Sequence, residues 1–346
     1  MRTPQVGTKA DWEYCEEMLP QVSRTFALNI AKLKGETYRA VLLGYLLFRI
    51  ADTFEDNDYQ TEEEKIRSLH ELAEVFKNHR SLEERQRLYE PLRFRWREGS
   101  PEKNLVENGD RVLRCYLELP RVYQEIMDPR VAQTAEGMAK FQKRKLEQGT
   151  RIFQLQDLED LENYCFYVAG NVGIMLTQLF CLRENIFAVK PELEKRQVGF
   201  GLALQLTNIA RDYFKDLERG WCYIPASVTS KCQLRPEELK NLSPEGRRRI
   251  LRELAPRVVE HFDSTSKYIE ALPKSERDVR LFCLIPFVLA YNTLIQIAEN
   301  RGNKLSRPQV AAILAECELF ARSNSRFRGD YFKARKKLVS LLGQEK

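Results

Sequence analysis

Histidine is scarce in this sequence. There are three, His70, His79 and His261, in 346 residues, and none lies beside a cluster of cysteines. The eight cysteines are scattered without a C-x-x-C pair. Zinc sites draw on such clusters, so none is expected. Several cysteines sit inside apolar segments such as "LFCLIPF" and read as buried, reduced thiols. No apolar run continues uninterrupted for the roughly 20 residues that cross a bilayer. The longest candidate, "LFCLIPFVLAYNTLIQIA", holds Pro286, Asn292, Thr293 and Gln296 and is expected as a buried core helix. The polar opening carries no signal-peptide pattern and the charged C-terminus no tail anchor, which points to the cytoplasm. "VGFGLALQ" lacks the third glycine of G-x-G-x-x-G and falls in a helical pattern, which excludes a Rossmann-type site. With no Gly-, Ser- or Pro-rich linker, residues 1–346 are expected as a single domain.

What is present is helical. Apolar residues recur at helical spacing nearly everywhere, in a chain that is 43% hydrophobic and 31% charged. The fold class expected is all-α. The 56 basic and 50 acidic residues leave a net charge of +6. That balance suits an anionic small substrate or a weak pull toward acidic membranes, and lacks the dense basic stripe of a nucleic-acid binder. The basic runs at 93–97, 143–145, 247–249 and 333–337 read first as solvated faces. One or two of them could instead draw the protein peripherally to a membrane.

Two acidic motifs stand out. "RIADTFEDND" follows the greasy run "AVLLGYLLF" and puts Asp52 and Asp56 four apart; "NIARDYFKD" does the same with Asp212 and Asp216. On a helix such residues share a face about 6 Å apart, where two carboxylates repel unless a cation compensates. Oxygen ligands of this kind suit Mg²⁺, which keeps several waters and bridges carboxylates to substrate phosphates. A single pair would more often be a solvated face. Here both pairs end strongly apolar helices, and Gln205, Asn208, Asp212 and Asp216 form a continuous polar stripe. Arg49 and Arg211 add a cation beside each pair. Together they imply a metal-bridged diphosphate site.

With "VSRTFALNI" and "YCFYVAGNVG", these motifs resemble the signature segments of the squalene and phytoene synthase family, in order, over roughly residues 20 to 310. The resemblance implies an isoprenoid-synthase fold, helices around a central cavity, and head-to-head joining of two prenyl diphosphates. It implies Mg²⁺, with Mn²⁺ as a substitute, on Asp52, Glu55, Asp56, Asn208, Asp212 and Asp216. It implies substrate contacts from Ser23, Arg24, Thr25, Phe26, Arg49, Tyr164, Gln205, Asn208, Arg211 and Phe282. Tyr167 would carry off the proton lost as a cyclopropane forms. Plainer roles stand beside these: an N-cap at Ser23, helix packing through Ala169, Gly170 and Gly173, structural tyrosines, and a core helix kinked by Pro286.

The product stays open between two outcomes. The "SRTFA", "DTFED" and "FCLIP" segments lean toward a soluble, bacterial-type squalene synthase using farnesyl diphosphate and NADPH. Yet Leu206 and Phe287 stand where eukaryotic squalene synthases resemble one another in having lysine and glutamine. The alternative is a phytoene, dehydrosqualene or presqualene-diphosphate synthase that needs no reductant. A non-catalytic lipid-binding or assembly relative would be expected to lack the aspartates. A monomer is expected.

Overall fold

A computed structural model describes residues 7–93 and 99–343, the side chain of Arg24 excepted. The basic run at 93–97 therefore falls, apart from Arg93, outside the described residues. The chain divides into two compact units, Met1–Gly149 with Gln178–Phe180, and Thr150–Thr177 with Cys181–Lys346.

The first unit holds α1 (Lys9–Val22), α2 (Arg24–Ile30), α3 (Gly35–Glu55), α4 (Glu62–Val75), α5 (Leu82–Tyr89), α6 (Pro101–Glu107), α7 (Gly109–Glu118) and α8 (Arg121–Gln148). The helix starts are written locally. Thr8, Thr61 and Ser81 open α1, α4 and α5 with capping boxes, each returning a side-chain acceptor to a backbone N–H that the helix leaves unpaired. α8 is the spine, and α3 and α4 pack along it. A fully buried Arg85 forks onto Asp128 of α8 at 3.0 and 2.8 Å and also donates to the Val75 carbonyl. The Tyr116 hydroxyl adds a third donor to the same carboxylate at 2.7 Å. Losing one member would strand a buried charge at a cost of about 3–5 kcal/mol.

The second unit holds α9 (Leu158–Cys165), α10 (Asn171–Phe180) apart from its last three residues, α11 (Glu184–Phe187), α12 (Lys190–Glu194), α13 (Gln197–Glu218), α14 (Ala226–Lys231), α15 (Pro244–Ala271), α16 (Arg277–Ala298), α17 (Arg307–Phe320) and α18 (Asn324–Leu341). α16 is long and apolar enough to cross a membrane by length and composition, but 94% of that span is buried inside the protein. It is the core helix the sequence suggested, and it continues through Pro286. Arg280, fully buried on α16, donates to the carbonyls of Ile269, Leu272 and Ala321. These lie at the ends of α15 and α17, where carbonyls lack helical partners.

Three features differ from the sequence expectation. A two-residue parallel ladder pairs β1 (Phe153–Gln154) with β2 (Trp221–Cys222). The segment between α9 and α10, Phe166–Gly170, is a π-helical turn. The basic runs are also only partly solvated. Lys145 is half-buried against Glu62 at 2.8 Å, and Arg248 and Arg249 donate to the carbonyls of Ala298 and Cys232. All eight cysteines are buried and free of disulfides, as their apolar settings suggested.

Candidate active site

From Ala40 to Asp56 every side chain of α3 is buried except four: Tyr45, Arg49, Asp52 and Asp56. Their spacing of four, three and four keeps them on one face. The apolar remainder of the helix is what holds this stripe outward, since turning it inward would bury three charges. The helix stops at the motif itself, with Asp56 as its C-cap and its N–H donating to the Asp52 carbonyl. The Thr53 hydroxyl donates to the Arg49 carbonyl, and the Gln142 amide of α8 donates to the Glu55 carbonyl at 3.2 Å. Glu55 points to the buried side, at 5% exposure, whereas the Asp52 side chain is 42% exposed.

Arg49 spans two acids. Its guanidinium lies 3.0 Å from Glu102 on α6 and 3.9 Å from Asp52. Ser23 caps α2 by accepting from the Phe26 N–H at 3.1 Å, and its hydroxyl lies against the Tyr45 phenol. Burial raises the Tyr45 phenol above its ordinary range, against the opposing pull of Ser23 and Arg49. The Phe26 ring packs on Tyr45 at 5.4 Å, and Thr25 is exposed. The first unit thus gathers Ser23, Phe26, Tyr45, Arg49 and Asp52 around one helix face. The Arg24 side chain lies outside the described residues.

α13 repeats the device in the second unit. Gln205, Asn208, Arg211, Asp212, Lys215, Asp216 and Arg219 are accessible, while Leu206, Thr207, Ile209, Ala210 and Tyr213 between them are buried. Arg211 meets Asp212 at 2.6 Å, Lys215 meets the other Asp212 oxygen at 2.8 Å, and Arg219 meets Asp216 at 2.8 Å. Burial works to raise the Asp212 carboxyl, but the hydrogen bonds from Lys215 and Arg211 overcome it and hold the group below the ordinary aspartate range.

Glycines bring α13 against the π turn. A Cβ on Gly201 would meet the Ala169 carbonyl oxygen at 2.1 Å, and one on Gly173 the Gln197 oxygen at 2.1 Å. Backbone touches backbone here, which is the helix packing expected of the "YVAGNVG" stretch. Such turns widen the helix by one residue and recur at functional sites. This one carries Tyr167, half-buried and edge-on to Phe166 at 5.6 Å. Tyr164 differs: it is buried, stacked on Tyr223 at 4.6 Å, and its hydroxyl bonds the Tyr223 hydroxyl at 2.9 Å. Trp221, stacked on the other tyrosine at 5.4 Å, extends the cluster to the β ladder. Phe282 is buried in α16 at 4% exposure. A cavity of about 520 Å³ opens between α12, α15 and α18; Arg335 of the basic run 333–337 lines it, but none of the candidate metal, substrate or catalytic residues does.

The donor set fits Mg²⁺. Among the described residues no three His, Cys, Asp or Glu side chains converge, so neither stripe builds a closed protein cage. Each offers two carboxylates one turn apart with a cation alongside, which matches an ion that keeps its waters and completes its shell with phosphate oxygens.

Sequence reasoning passed over Tyr45, Gln142, Glu102, Lys215 and Arg219. Tyr45 follows from the four-three-four spacing, and Lys215 and Arg219 from an acid three residues before each. Gln142 and Glu102 reach the site from distant segments and leave no local signal.

The model of the squalene/phytoene synthase family matches residues 19–313. The chain belongs to this family. Squalene synthase 1 of Arabidopsis thaliana is 30% identical over 301 residues, 86% of this chain and 67% of its own length. The squalene synthase of Dictyostelium discoideum is 31% identical over 288 residues, 82% of this chain and 63% of its own. The chain therefore spans about two thirds of the length of these relatives. A ligand complex of TcSQS, at 24% identity, superposes with a TM-score of 0.76 over 98% of this chain and 100% of that one. A dehydrosqualene synthase solved with a ligand, at 20% identity, gives 0.61 over 90% and 96%. These likenesses show the fold, the all-α isoprenoid-synthase fold of squalene/phytoene synthases.

Proposed function

We propose that the protein, as a single domain, joins two farnesyl diphosphates head to head through presqualene diphosphate to squalene, with NADPH as reductant. The observation that carries the reading is the pair of accessible stripes, each ending in two aspartates, within a chain of the squalene/phytoene synthase family. Relatives named squalene synthase supply the choice of product.

Asp52, Asp56, Asn208, Asp212 and Asp216 would hold Mg²⁺, with Glu55 behind the first pair. When bound, the ion supplies Lewis-acid neutralisation of the departing diphosphate. Arg49, Arg211 and the Ser23 and Thr25 hydroxyls would grip phosphate oxygens, with the α2 N-terminus contributing backbone N–H groups. Gln205 lies one turn further along the α13 stripe, where it would position the second substrate. Tyr167 would take up the proton released when the cyclopropane closes, the C–H electrons forming the new C–C bond. Tyr164 and Phe282, both buried, would contribute to substrate binding by packing. The protein would act as a cytoplasmic monomer that meets a membrane only peripherally, to release its lipid product.

One observation favours the reading without reductant. Phe287 is fully buried and edge-packed by Phe262 and Tyr291, and Leu206 is also buried, so neither position offers a polar contact to a nicotinamide cofactor. The test is product analysis with Mg²⁺ and farnesyl or geranylgeranyl diphosphate, with and without NADPH. Squalene formed only with farnesyl diphosphate and NADPH supports the main reading. Presqualene diphosphate, dehydrosqualene or phytoene formed whether or not NADPH is present selects the second. No product from either substrate overturns both.

A further inference from the structure

The two stripes differ in how their charges are answered. On α13 a cation follows each acid by three residues: Lys215 after Asp212 and Arg219 after Asp216, both at 2.8 Å. After Asp52 and Asp56 the same offsets carry Glu55, the last residue of α3, and Tyr59 beyond its end. The α13 acids are also the more enclosed, at 21% and 13% side-chain exposure against 42% for Asp52. Both oxygens of Asp212 are engaged, one by Arg211 and one by Lys215. A divalent ion arriving alone would have to displace these groups and leave them without an anion.

We propose that Lys215 and Arg219 are exchangeable counter-ions. They occupy Asp212 and Asp216 in the metal-free protein, and they transfer to the diphosphate when Mg²⁺ takes the carboxylates. The proposal rests on the reading that Asp212 and Asp216 hold the metal. Lys215 suits the exchange, with a flexible stem and a side chain that is 51% exposed. Arg219 sits one turn beyond at the C-cap of α13, beside the left-handed Gly220 that ends the helix. A diphosphate bound with the metal would offer these cations new oxygens to pair with, so the displaced pairs would be replaced rather than lost.

The consequence is coupling. Metal and diphosphate should each tighten the other by the same factor, since linkage between binding sites is reciprocal, and such factors are commonly about 5- to 150-fold. The ion on α13 would settle only when a diphosphate is there to receive the cations, and substrate would then be ionised only in a loaded site.

The experiment measures Mn²⁺ binding by electron paramagnetic resonance in the whole protein, with and without inorganic pyrophosphate and without prenyl substrate. It compares wild type with Lys215→Met and Arg219→Met, using an Asp212→Asn/Asp216→Asn double variant as the blank for metal–pyrophosphate association in solution. Wild type is expected to bind Mn²⁺ weakly alone and at least 10-fold more tightly with pyrophosphate. In the methionine variants Mn²⁺ alone should bind several-fold more tightly, while its enhancement by pyrophosphate shrinks. The two changes have opposite signs, which loss of folding cannot imitate. Variants that leave both quantities unchanged, or weaken both together, overturn the proposal. Wild type that binds no Mn²⁺ above the blank, even with pyrophosphate, overturns the metal reading itself and the proposal with it.

Discussion

The Gln142 side-chain amide donates to the backbone carbonyl of Glu55 at 3.2 Å, from a residue with no exposure to solvent. That carbonyl belongs to the last turn of α3, where no helical N–H remains to answer it. One buried glutamine on α8 thus fixes where the Asp52–Asp56 helix ends. Gln142→Leu keeps the volume and removes the donor. It should destabilise the fold by about 1–3 kcal/mol. It should also raise the Mg²⁺ concentration for half-maximal turnover several-fold, because Asp56 is the cap of that turn. Urea unfolding and a Mg²⁺ titration measure the two. A stability loss with an unchanged Mg²⁺ requirement would mean that Gln142 only packs.

Gly201→Ala places a methyl 2.1 Å from the Ala169 oxygen. Backbone cannot yield as a side-chain tip does, so α13 must move off the π turn. Overpacking costs typically about 1–3 kcal/mol, and this contact is at the severe end. The melting temperature should fall by several degrees, and turnover should fall in the protein that remains folded. An unchanged melting temperature would show that the two segments are not in backbone contact.

The two tyrosines of "YCFY" should separate cleanly. Tyr164→Phe removes the hydroxyl that bonds Tyr223 at 2.9 Å and should cost about 1 kcal/mol of stability. Tyr167→Phe should leave the melting temperature within a degree or two and reduce turnover about 100-fold or more, as loss of a proton-transfer group does. Thermal denaturation beside product formation reads both. The reverse pattern would move the proton-transfer role to Tyr164.

Asp212 carries a pH signature. Its folded carboxyl lies below the ordinary aspartate range because Lys215 and Arg211 outweigh the opposing effect of burial. A depressed folded pKa means that the unfolded chain binds the proton first. The stabilisation is therefore complete above the ordinary aspartate pKa of about 3.9 and drains away as pH falls below it. Urea unfolding between pH 6 and pH 3 should show a shallower acid loss for Asp212→Asn than for wild type. Parallel curves would show that the Asp212 pairs contribute nothing in solution, as exposed ion pairs often do.

Much of this was legible in the sequence because it is written at helical spacing. α3 and α13 could be read with their acidic ends, since an apolar helix interrupted by charge every three or four residues has one way to turn. The capping of α2 by Ser23 and the burial of α16 were legible for the same reason. What was not legible is long-range or irregular. The π turn at Phe166–Gly170 lies against α13 across Gly201, a tertiary contact that no local pattern announces. The β ladder depends on Phe153 meeting Trp221 from 68 residues away. Tyr164, in a motif that invites a functional reading, is held by Tyr223, which no local pattern couples to it. Tyr45 was there to be read and was obscured by the apolar residues on either side.

The most direct measurement of the central claim, that the two aspartate stripes serve one diphosphate chemistry, is pyrophosphate release from farnesyl diphosphate with Mg²⁺ by wild type, Asp52→Asn and Asp212→Asn. Wild type should release pyrophosphate. Each single variant should lose about 100-fold or more, in line with losing one stabiliser of developing charge, while circular dichroism shows the fold retained. If either variant kept full activity, its stripe would have no part in the chemistry and the account would be contradicted.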